Sequence, residues 1–513
     1  MTEAVKKVII LGGGTSGWIT AALLDAAHNQ GKHRAIDITL VESAGGRIGV
    51  GEATIPTLLR TLKGIGIDER TFLAKTDATF KQGIRFNNWV KNPKGDPTES
   101  YWHPFDYPWN HKTIPLAHAW AERYDAGDTE IGAFADACGI QIRLMEQSRA
   151  PKSLAHPPYE GVAGYAYHLD AEKLGDYLAE LCVERGVKRV IDKVVHVEQD
   201  EKGWIAALVT AEHGRIAGDL FVDCSGFQGL LINKVLGVPF QGYNDYLLCD
   251  RAVAMRTPYA EGQGIAPYTE STAQDAGWIW DIRLQSRRGS GYVYSTAFIS
   301  DDAAEQALRR YVGPNAEGQQ ARILPMRVGR SREFWKHNCL AIGLAAGFIE
   351  PLESTGIALV EIGASLLSEN FPYGGVAPAI ARNYNRAMSD MYGELLDFIN
   401  LHYCLTQRDD TAFWRAVREE SRVTESLRER LGLWSHRPPR EIDGDGPLKM
   451  FSYHSWNCIL FGMGWRPKQW SGMHGYAAAT KGDFDATFKE IRAASARLAM
   501  ELPEHTAFLQ QYR

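Results

Sequence analysis

Six residues near the N-terminus, Gly12-Gly13-Gly14-Thr15-Ser16-Gly17, have the G-x-G-x-x-G spacing of a turn that cradles phosphate. Gly12 permits a tight turn, Gly14 lets the backbone approach a pyrophosphate, and Gly17 lets a helix pack closely on a strand. The helix that starts at Thr15 and Ser16 offers its first N–H groups, and the positive end of its dipole, to the phosphates. Glu42 closes the next predicted strand, where a carboxylate can accept hydrogen bonds from ribose hydroxyls. The chemistry implied is dinucleotide binding, by NAD or FAD equally. Trp278 and Trp280 lie two apart, so on a strand both face one side; by themselves they are an aromatic core stripe. Lys81 alone is a solvated helix lysine, and Glu353 alone a carboxylate at a helix N-terminus.

These residues need elements to hold them. Val8–Leu11 is predicted as a buried parallel strand, followed by the glycine turn, a helix through Trp18–Ala27 and a second strand, Ile36–Val41. Residues 52–90 are expected to alternate short helices and loops. Residues 91–160, rich in Pro, Trp, His and Tyr, are expected to form cavity walls or loops. A helix is predicted over Leu169–Val187, then strands over Val190–Val197, Trp204–Ala211 and Leu220–Asp223. Alternation over 245–300 predicts sheet, and Leu340–Gly343 another short buried strand before a helix near Thr355. Beyond about 366 the chain is expected to be mostly helical. The fold class is α/β: a nucleotide-binding unit with a mixed sheet over 1–365, discontinuous, with segments at about 76–160 and 245–300 inserted on the substrate side, and a helical substrate-side module over 366–513.

Composition narrows the partners. Of the 513 residues 45% are hydrophobic, enough for a large core, and the net charge of −6 without a Lys/Arg block excludes nucleic acid as the natural partner. The seven cysteines are scattered and form no C-x-x-C pair, against a disulfide framework or a zinc site. No apolar run reaches membrane-spanning length. The expectation is a metal-free protein of the reducing cytoplasm, with small neutral or weakly charged ligands.

Asp219–Phe227, D-L-F-V-D-C-S-G-F, resembles the strand that returns to the nucleotide in FAD monooxygenases of the hydroxybenzoate-hydroxylase type, with Asp223 at its end. Leu340–Gly356 resembles their second FAD segment, with Gly343-Leu344 in place of the usual Gly-Asp. No second glycine motif for NADPH follows, so FAD is expected to arrive reduced from a separate flavin reductase. Four further segments, in order, resemble flavin-dependent tryptophan halogenases. Gly49-Val50-Gly51-Glu52-Ala53-Thr54-Ile55-Pro56 is similar to their flavin strap, and Phe80-Lys81 to the segment with their active-site lysine. Trp278-Ile279-Trp280-Asp281-Ile282-Arg283 is similar to W-x-W-x-I-P, with Arg283 for the proline. Pro351-Leu352-Glu353-Ser354-Thr355-Gly356 is similar to their halide and catalytic-glutamate segment.

The resemblance implies that reduced FAD and oxygen convert chloride or bromide, held near the backbone of Thr355 and Gly356, to hypohalous acid. Lys81 then delivers the halogen to an electron-rich aromatic ring. Glu353 stabilises the cationic ring and takes its proton, supported by Ser354. Gly51, Glu52 and Ala53 belong to the cofactor side. Trp278 and Trp280 stand between flavin and substrate, and His103 and Phe105 lie against the ring. The C-terminal stretch Leu448–Gly464 lacks the tyrosine pair and glutamate with which the family clamps free tryptophan. Tyr453, His454 and Trp456 do not replace them, so indole or a simple indole is expected to be preferred. The alternatives are an FAD aromatic hydroxylase and a flavin-binding redox sensor without turnover.

Overall fold

The computed structural model describes all residues except 1–3, 32–33, 46–48, 50, 92–98, 110–115, 444–447, 469–473 and 513, and the side chains of 474–481. Val50 of the strap segment, and parts of 91–160, therefore lie outside the described residues. The chain forms two compact units: one from 1–78, 169–243 and 326–392, the other from 79–168, 244–325 and 393–513. The architecture is α/β with mixed sheets, as expected.

The first unit is built on a six-stranded sheet in the order Trp335–Lys336, Cys339–Ala341, Leu220–Asp223, Lys7–Leu11, Asp37–Glu42, Lys188–Ile191. All neighbours are parallel except the first pair. Leu11 is level with Val41 on one side and Asp223 on the other, so glycine turn, Glu42 and Asp223 share one sheet edge. The central strand is apolar because both faces are covered. Helix Thr15–His28 packs against helices Ala171–Glu184 and Gly356–Glu369. Asp170 caps the first of these two, accepting from the Glu172 and Lys173 N–H groups, a contact worth about 1 kcal/mol. The predicted strand Val190–Val197 is two strands, Lys188–Ile191 and Val194–Gln199, in different sheets. Asp192 makes the break: its carboxylate collects the N–H groups of Lys193, Glu212 and His213, which a continuous strand could not offer.

The second unit centres on a seven-stranded sheet: Ala321–Pro325, Arg251–Thr257, Arg288–Tyr294, Gly277–Arg283, Thr269–Gln274, Gly83–Asn87, Ser100–Pro104. All pairs are antiparallel except Thr269–Gln274 with Gly83–Asn87. Helix Asp301–Val312 covers one face over Val253, Met255, Ile279 and Tyr292, with Leu308 as its own contribution to that core. It is started by Ser300, whose hydroxyl accepts from Ala303 N–H, and has acids in its first turn and arginines in its last, both favourable to the dipole. Residues 52–90 are not only helices and loops. Thr79–Lys81 and Gly83–Asn87 are strands, the first paired with Ala166–Leu169. Likewise 91–160 contains strand Ser100–Pro104 and helices Leu116–Asp125, Phe134–Cys138 and Gln141–Glu146, whose apolar sides share a core with Phe461, Phe488 and Ile491.

The seven cysteines are unbridged, six buried and Cys404 partly so. Burial pushes the thiols of Cys182 and Cys404 up to about 12, and those of Cys138, Cys224 and Cys339 up as well. Among the described residues no helix is long and apolar enough to cross a membrane, and no group of His, Cys, Asp and Glu could hold a metal ion.

Candidate active site

In the first unit, the backbone of Gly12 has φ +118°, a conformation that L side chains avoid, and a Cβ there would overlap the Cys224 carbonyl oxygen. A Cβ on Gly17 would overlap the Gly12 carbonyl, so helix and turn touch through backbone alone. Gly14 differs: a Cβ there meets nothing within 4 Å. That open side lies at the start of helix Thr15–His28, where the first N–H groups have no partner within the helix. The Thr15 hydroxyl is bound to the Ala171 carbonyl (3.2 Å), and the Ser16 carbonyl accepts from Thr20. The backbone N–H groups of Thr15 and Ser16 are thus what this turn presents.

The Glu42 carboxylate lies against the turn, where a Cβ on Gly13 would overlap it, and Arg189 holds it at 2.6 Å. Asp223 accepts from the N–H groups of Ser225, Leu231 and Ile232 at 3.0, 2.7 and 2.9 Å. Its carboxylate is engaged in shaping the loop whose Cys224 carbonyl faces Gly12, so it acts on the turn through the backbone. Gly343 packs on Ser16 with no room for a Cβ, which brings the second predicted FAD segment to the glycine turn. An open phosphate cradle, helix N–H groups and a neighbouring carboxylate fit a dinucleotide, and so fit FAD.

Gly51 has φ +107°, which explains glycine at this position of the predicted strap segment. Glu52 and Ala53 follow as a two-residue strand. Burial, helped by the Asp170 carboxylate, pushes Glu52 up to about 7. Glu353 ends a short turn, Pro351–Glu353, and is 1% exposed. Ser354 follows in the left-handed region, φ 62°, a strain of about 1–3 kcal/mol that the surrounding fold must hold. Thr355 is buried and precedes helix Gly356–Glu369; a Cβ on Gly356 meets nothing within 4 Å. A helix N-terminus with an open side suits an anion. Glu361, one turn further on, accepts from the Thr57 hydroxyl at 2.9 Å and is pushed up to about 7 by burial.

In the second unit, Lys81 is 0% exposed, on a strand rather than a helix, and its Nζ stands 4.9 Å over the Phe105 ring. The predicted aromatic wall and the lysine are therefore neighbours. His168, across the strand pair, is driven well below its usual value by burial and by Lys81; its Nε2 meets the Thr269 hydroxyl at 2.7 Å. The imidazole beside the Lys81 ammonium is thus neutral.

Trp278 and Trp280 share the sheet face opposite Ile279, their rings 6.3 Å apart. Gly291, level with Trp280 on the next strand, has no room for a Cβ because the indole lies over it. Trp280 Nε1 is buried without an acceptor among the described residues. Arg283 does not break the strand; it pairs with Arg288 across the turn, and its carbonyl accepts from the Thr79 hydroxyl.

On the same face an aromatic layer continues that the sequence did not single out. Trp89 meets Trp278 at 6.5 Å and His402 at 5.9 Å; Phe86 stacks on Tyr101 at 4.8 Å. Phe398 meets His402 at 5.7 Å and His103 also at 5.7 Å. Phe451 stacks on Phe398 at 3.7 Å. The i, i+4 spacing of Phe398 and His402 on helix Pro378–Cys404 was the available signal. For Phe451 the signal was its place within Leu448–Gly464, although only the fold brings it beside His103.

The geometry has close counterparts. A sequence profile described as tryptophan halogenase matches residues 7–479. The chain is 37% identical to the tryptophan 6-halogenase SttH of Streptomyces toxytricini, over 98% of this chain and 97% of that protein. The crystal structure of a tryptophan halogenase from Shewanella frigidimarina superposes with a TM-score of 0.94 at 37% identity, covering 99% of this chain and 98% of that one. BrvH, a flavin-dependent halogenase from Brevundimonas sp. BAL3, superposes with a TM-score of 0.89 at 36% identity, covering 99% of both chains.

Proposed function

The chain is a member of the tryptophan halogenase family and a flavin-dependent enzyme of that class, and on that premise we propose that it halogenates an indole, with Lys81 delivering the halogen. The observation that carries this reading is a lysine with no solvent exposure set over an aromatic ring. A solvated lysine would lose hypohalous acid to water, whereas an enclosed one retains it.

Bound reduced FAD, with oxygen, supplies the two-electron oxidation of chloride or bromide to hypohalous acid. The turn at Gly12, Gly14, Thr15, Ser16 and Gly17 binds the pyrophosphate, Glu42 the ribose, and Gly51, Glu52 and Ala53 the remaining flavin side. Asp223 positions the loop that faces this turn. The backbone N–H groups of Thr355 and Gly356, at the end of the second FAD segment, hold the halide. Lys81 holds the oxidant beside the ring, either as ammonium hydrogen-bonding its oxygen or as amine carrying the halogen on nitrogen with release of water. His103 and Phe105 flank that ring, and Trp278 and Trp280 separate it from the flavin. Glu353, supported by Ser354, balances the charge of the arenium cation and removes its proton, so that ring C–H and hypohalous acid become C–halogen and water. A separate reductase supplies the reduced flavin. Indole or a neutral indole is the preferred substrate, because Leu448–Gly464 lacks the clamp for an ammonium and a carboxylate.

Incubation with bromide, FAD, a flavin reductase and indole tests the reading by product mass. Brominated indole is expected. Hydroxylated product would move the chain to the hydroxylase alternative, and flavin oxidation without product to the sensor.

A further inference from the structure

Lys81 lies on a short strand, Thr79–Lys81, paired along one edge with Ala166–Leu169. Alternate N–H groups of a strand point to the same edge, so those of Phe80 and Gln82, on either side of Lys81, share the other edge. There the chain meets residues 265–267. The Gln82 N–H reaches the Pro267 carbonyl directly, at 2.7 Å. The Phe80 N–H instead donates to Nε2 of His505 at 3.3 Å, and Nδ1 of the same ring meets the Ile265 carbonyl at 2.8 Å. One imidazole thus stands where a neighbouring backbone would otherwise close the gap.

This bridge fixes its own proton. A carbonyl only accepts, so Nδ1 carries the hydrogen and Nε2 is the acceptor. An imidazolium would set a second N–H against that of Phe80. His505 is fully buried, and burial lowers it to about 4, so the ring is neutral at pH 7. The segment around it is tied down. The His505 N–H donates to the Ser148 carbonyl at 2.8 Å, and the Thr506 hydroxyl accepts from the Ile265 N–H at 3.0 Å. Glu504 caps helix His505–Gln511, accepting from the Ala507 N–H at 2.7 Å. The Phe80 ring meets those of His505, Phe508 and Tyr512 at 6.1, 5.6 and 6.2 Å, so this segment grips Phe80 by ring as well as by backbone. Beyond Lys81, the Gln82 carbonyl accepts from the N–H of Phe105, the ring under the lysine, at 3.0 Å.

We infer that His505 is a positioning residue for Lys81: the bond from the Phe80 N–H to Nε2 fixes the strand from which the lysine reaches the oxidant, and so sets how much oxidant ends on the ring. It acts through the Phe80 backbone, not on the reacting atoms. The inference rests on the Lys81 reading, and the test separates the two. Glutamine places its amide oxygen where Nε2 stands and keeps the Phe80 bond; asparagine places its amide nitrogen where Nδ1 stands and keeps only the Ile265 bond. Full-length wild type, His505→Gln and His505→Asn are compared by brominated indole formed per reduced FAD oxidised, by oxidant caught in a diketone trap, by FAD affinity, and by hydrogen exchange at the Phe80 amide. Misplacing a reacting group by about 1 Å can cost about a hundredfold. His505→Asn is therefore expected to lose about tenfold or more in product per flavin, with more trapped oxidant and with FAD affinity and flavin oxidation within about twofold. Its Phe80 amide is expected to exchange about tenfold faster or more. His505→Gln is expected to stay within about threefold of wild type in both. An unchanged yield in His505→Asn, an equal loss in both variants, a loss of FAD affinity alongside the yield, or a His505→Asn chain that fails to fold overturns the inference. So does a Phe80 amide that exchanges freely in the wild type. Absence of brominated indole from the wild type strikes the Lys81 reading instead, while the exchange rates of the three proteins still decide whether His505 holds the strand.

Discussion

The Lys81 ammonium stands over the face of Phe105, its Nζ 4.9 Å from the ring centroid, at a position closed to solvent. A cation so placed draws about 0.5–2 kcal/mol from the ring, and the ring in turn fixes where the ammonium points. Lys81→Met is expected to lower halogenation by at least about a hundredfold while leaving FAD affinity unchanged. Phe105→Leu is expected to cost about three- to thirtyfold, by loss of the ring's hold on the ammonium. Product formation and flavin fluorescence titration, run in parallel, check both. Retained turnover in Lys81→Met would end the assigned role.

Two glycines of one motif are expected to fail differently. Gly14 has φ −72° and open space beside it, so Gly14→Ala should fold normally and place its methyl group where phosphate belongs. Its FAD affinity is expected to fall about tenfold or more, with the melting temperature unchanged. Gly17→Ala drives a Cβ into the Gly12 carbonyl, and its stability is expected to fall by about 1–3 kcal/mol. Thermal melts without FAD, set beside FAD titrations, distinguish a blocked cradle from a broken turn.

Glu361 is 2% exposed and raised from 4.5 to about 7 by burial, with hydrogen bonds from Thr61 and Thr57 and the charge of Arg60 opposing the shift. Between those two values the unfolded chain ionises while the folded one keeps its proton. Folding stability is therefore lost as pH rises from about 4.5, and the loss is complete above about 7. Glu361→Gln removes this penalty. It is expected to gain on the order of 1–3 kcal/mol at pH 8 and little at pH 4. Equal effects in denaturant melts at the two pH values would contradict the assignment.

Gly291→Ala pushes a methyl group into the Trp280 indole. The variant is expected to lose about 1–3 kcal/mol of stability and, on the proposal that Trp280 shields the oxidant, to release more free hypohalous acid per flavin oxidised. A diketone trap for free oxidant, compared with the yield of halogenated indole, checks this.

The nucleotide turn was legible in the sequence because each glycine answers a local steric demand: Gly12 its positive φ, Gly14 its open side, Gly17 its backbone contact. Trp278 and Trp280 were legible because a strand has period two. The strand Thr79–Lys81 was not: three residues carry no period, and the neighbouring Gly83–Asn87 is completed by Thr269–Gln274, far along the chain. Lys81 taken by itself consequently reads as a solvated helix residue, and only its family resemblance points to the site. The break at Asp192 was missed because its cause is a set of hydrogen bonds from residues about twenty positions later. Phe398 and Phe451 escaped notice because their meeting is wholly tertiary.

The withheld thiols have a bearing on survival. A catalyst that generates a bleach-like oxidant attacks first whatever sulfur nucleophile lies within reach, and the reactive form of cysteine is the thiolate. Here the thiols of Cys138, Cys182, Cys224, Cys339 and Cys404 are kept protonated by burial. At neutral pH stray hypohalite therefore meets thiols rather than thiolates at these five positions.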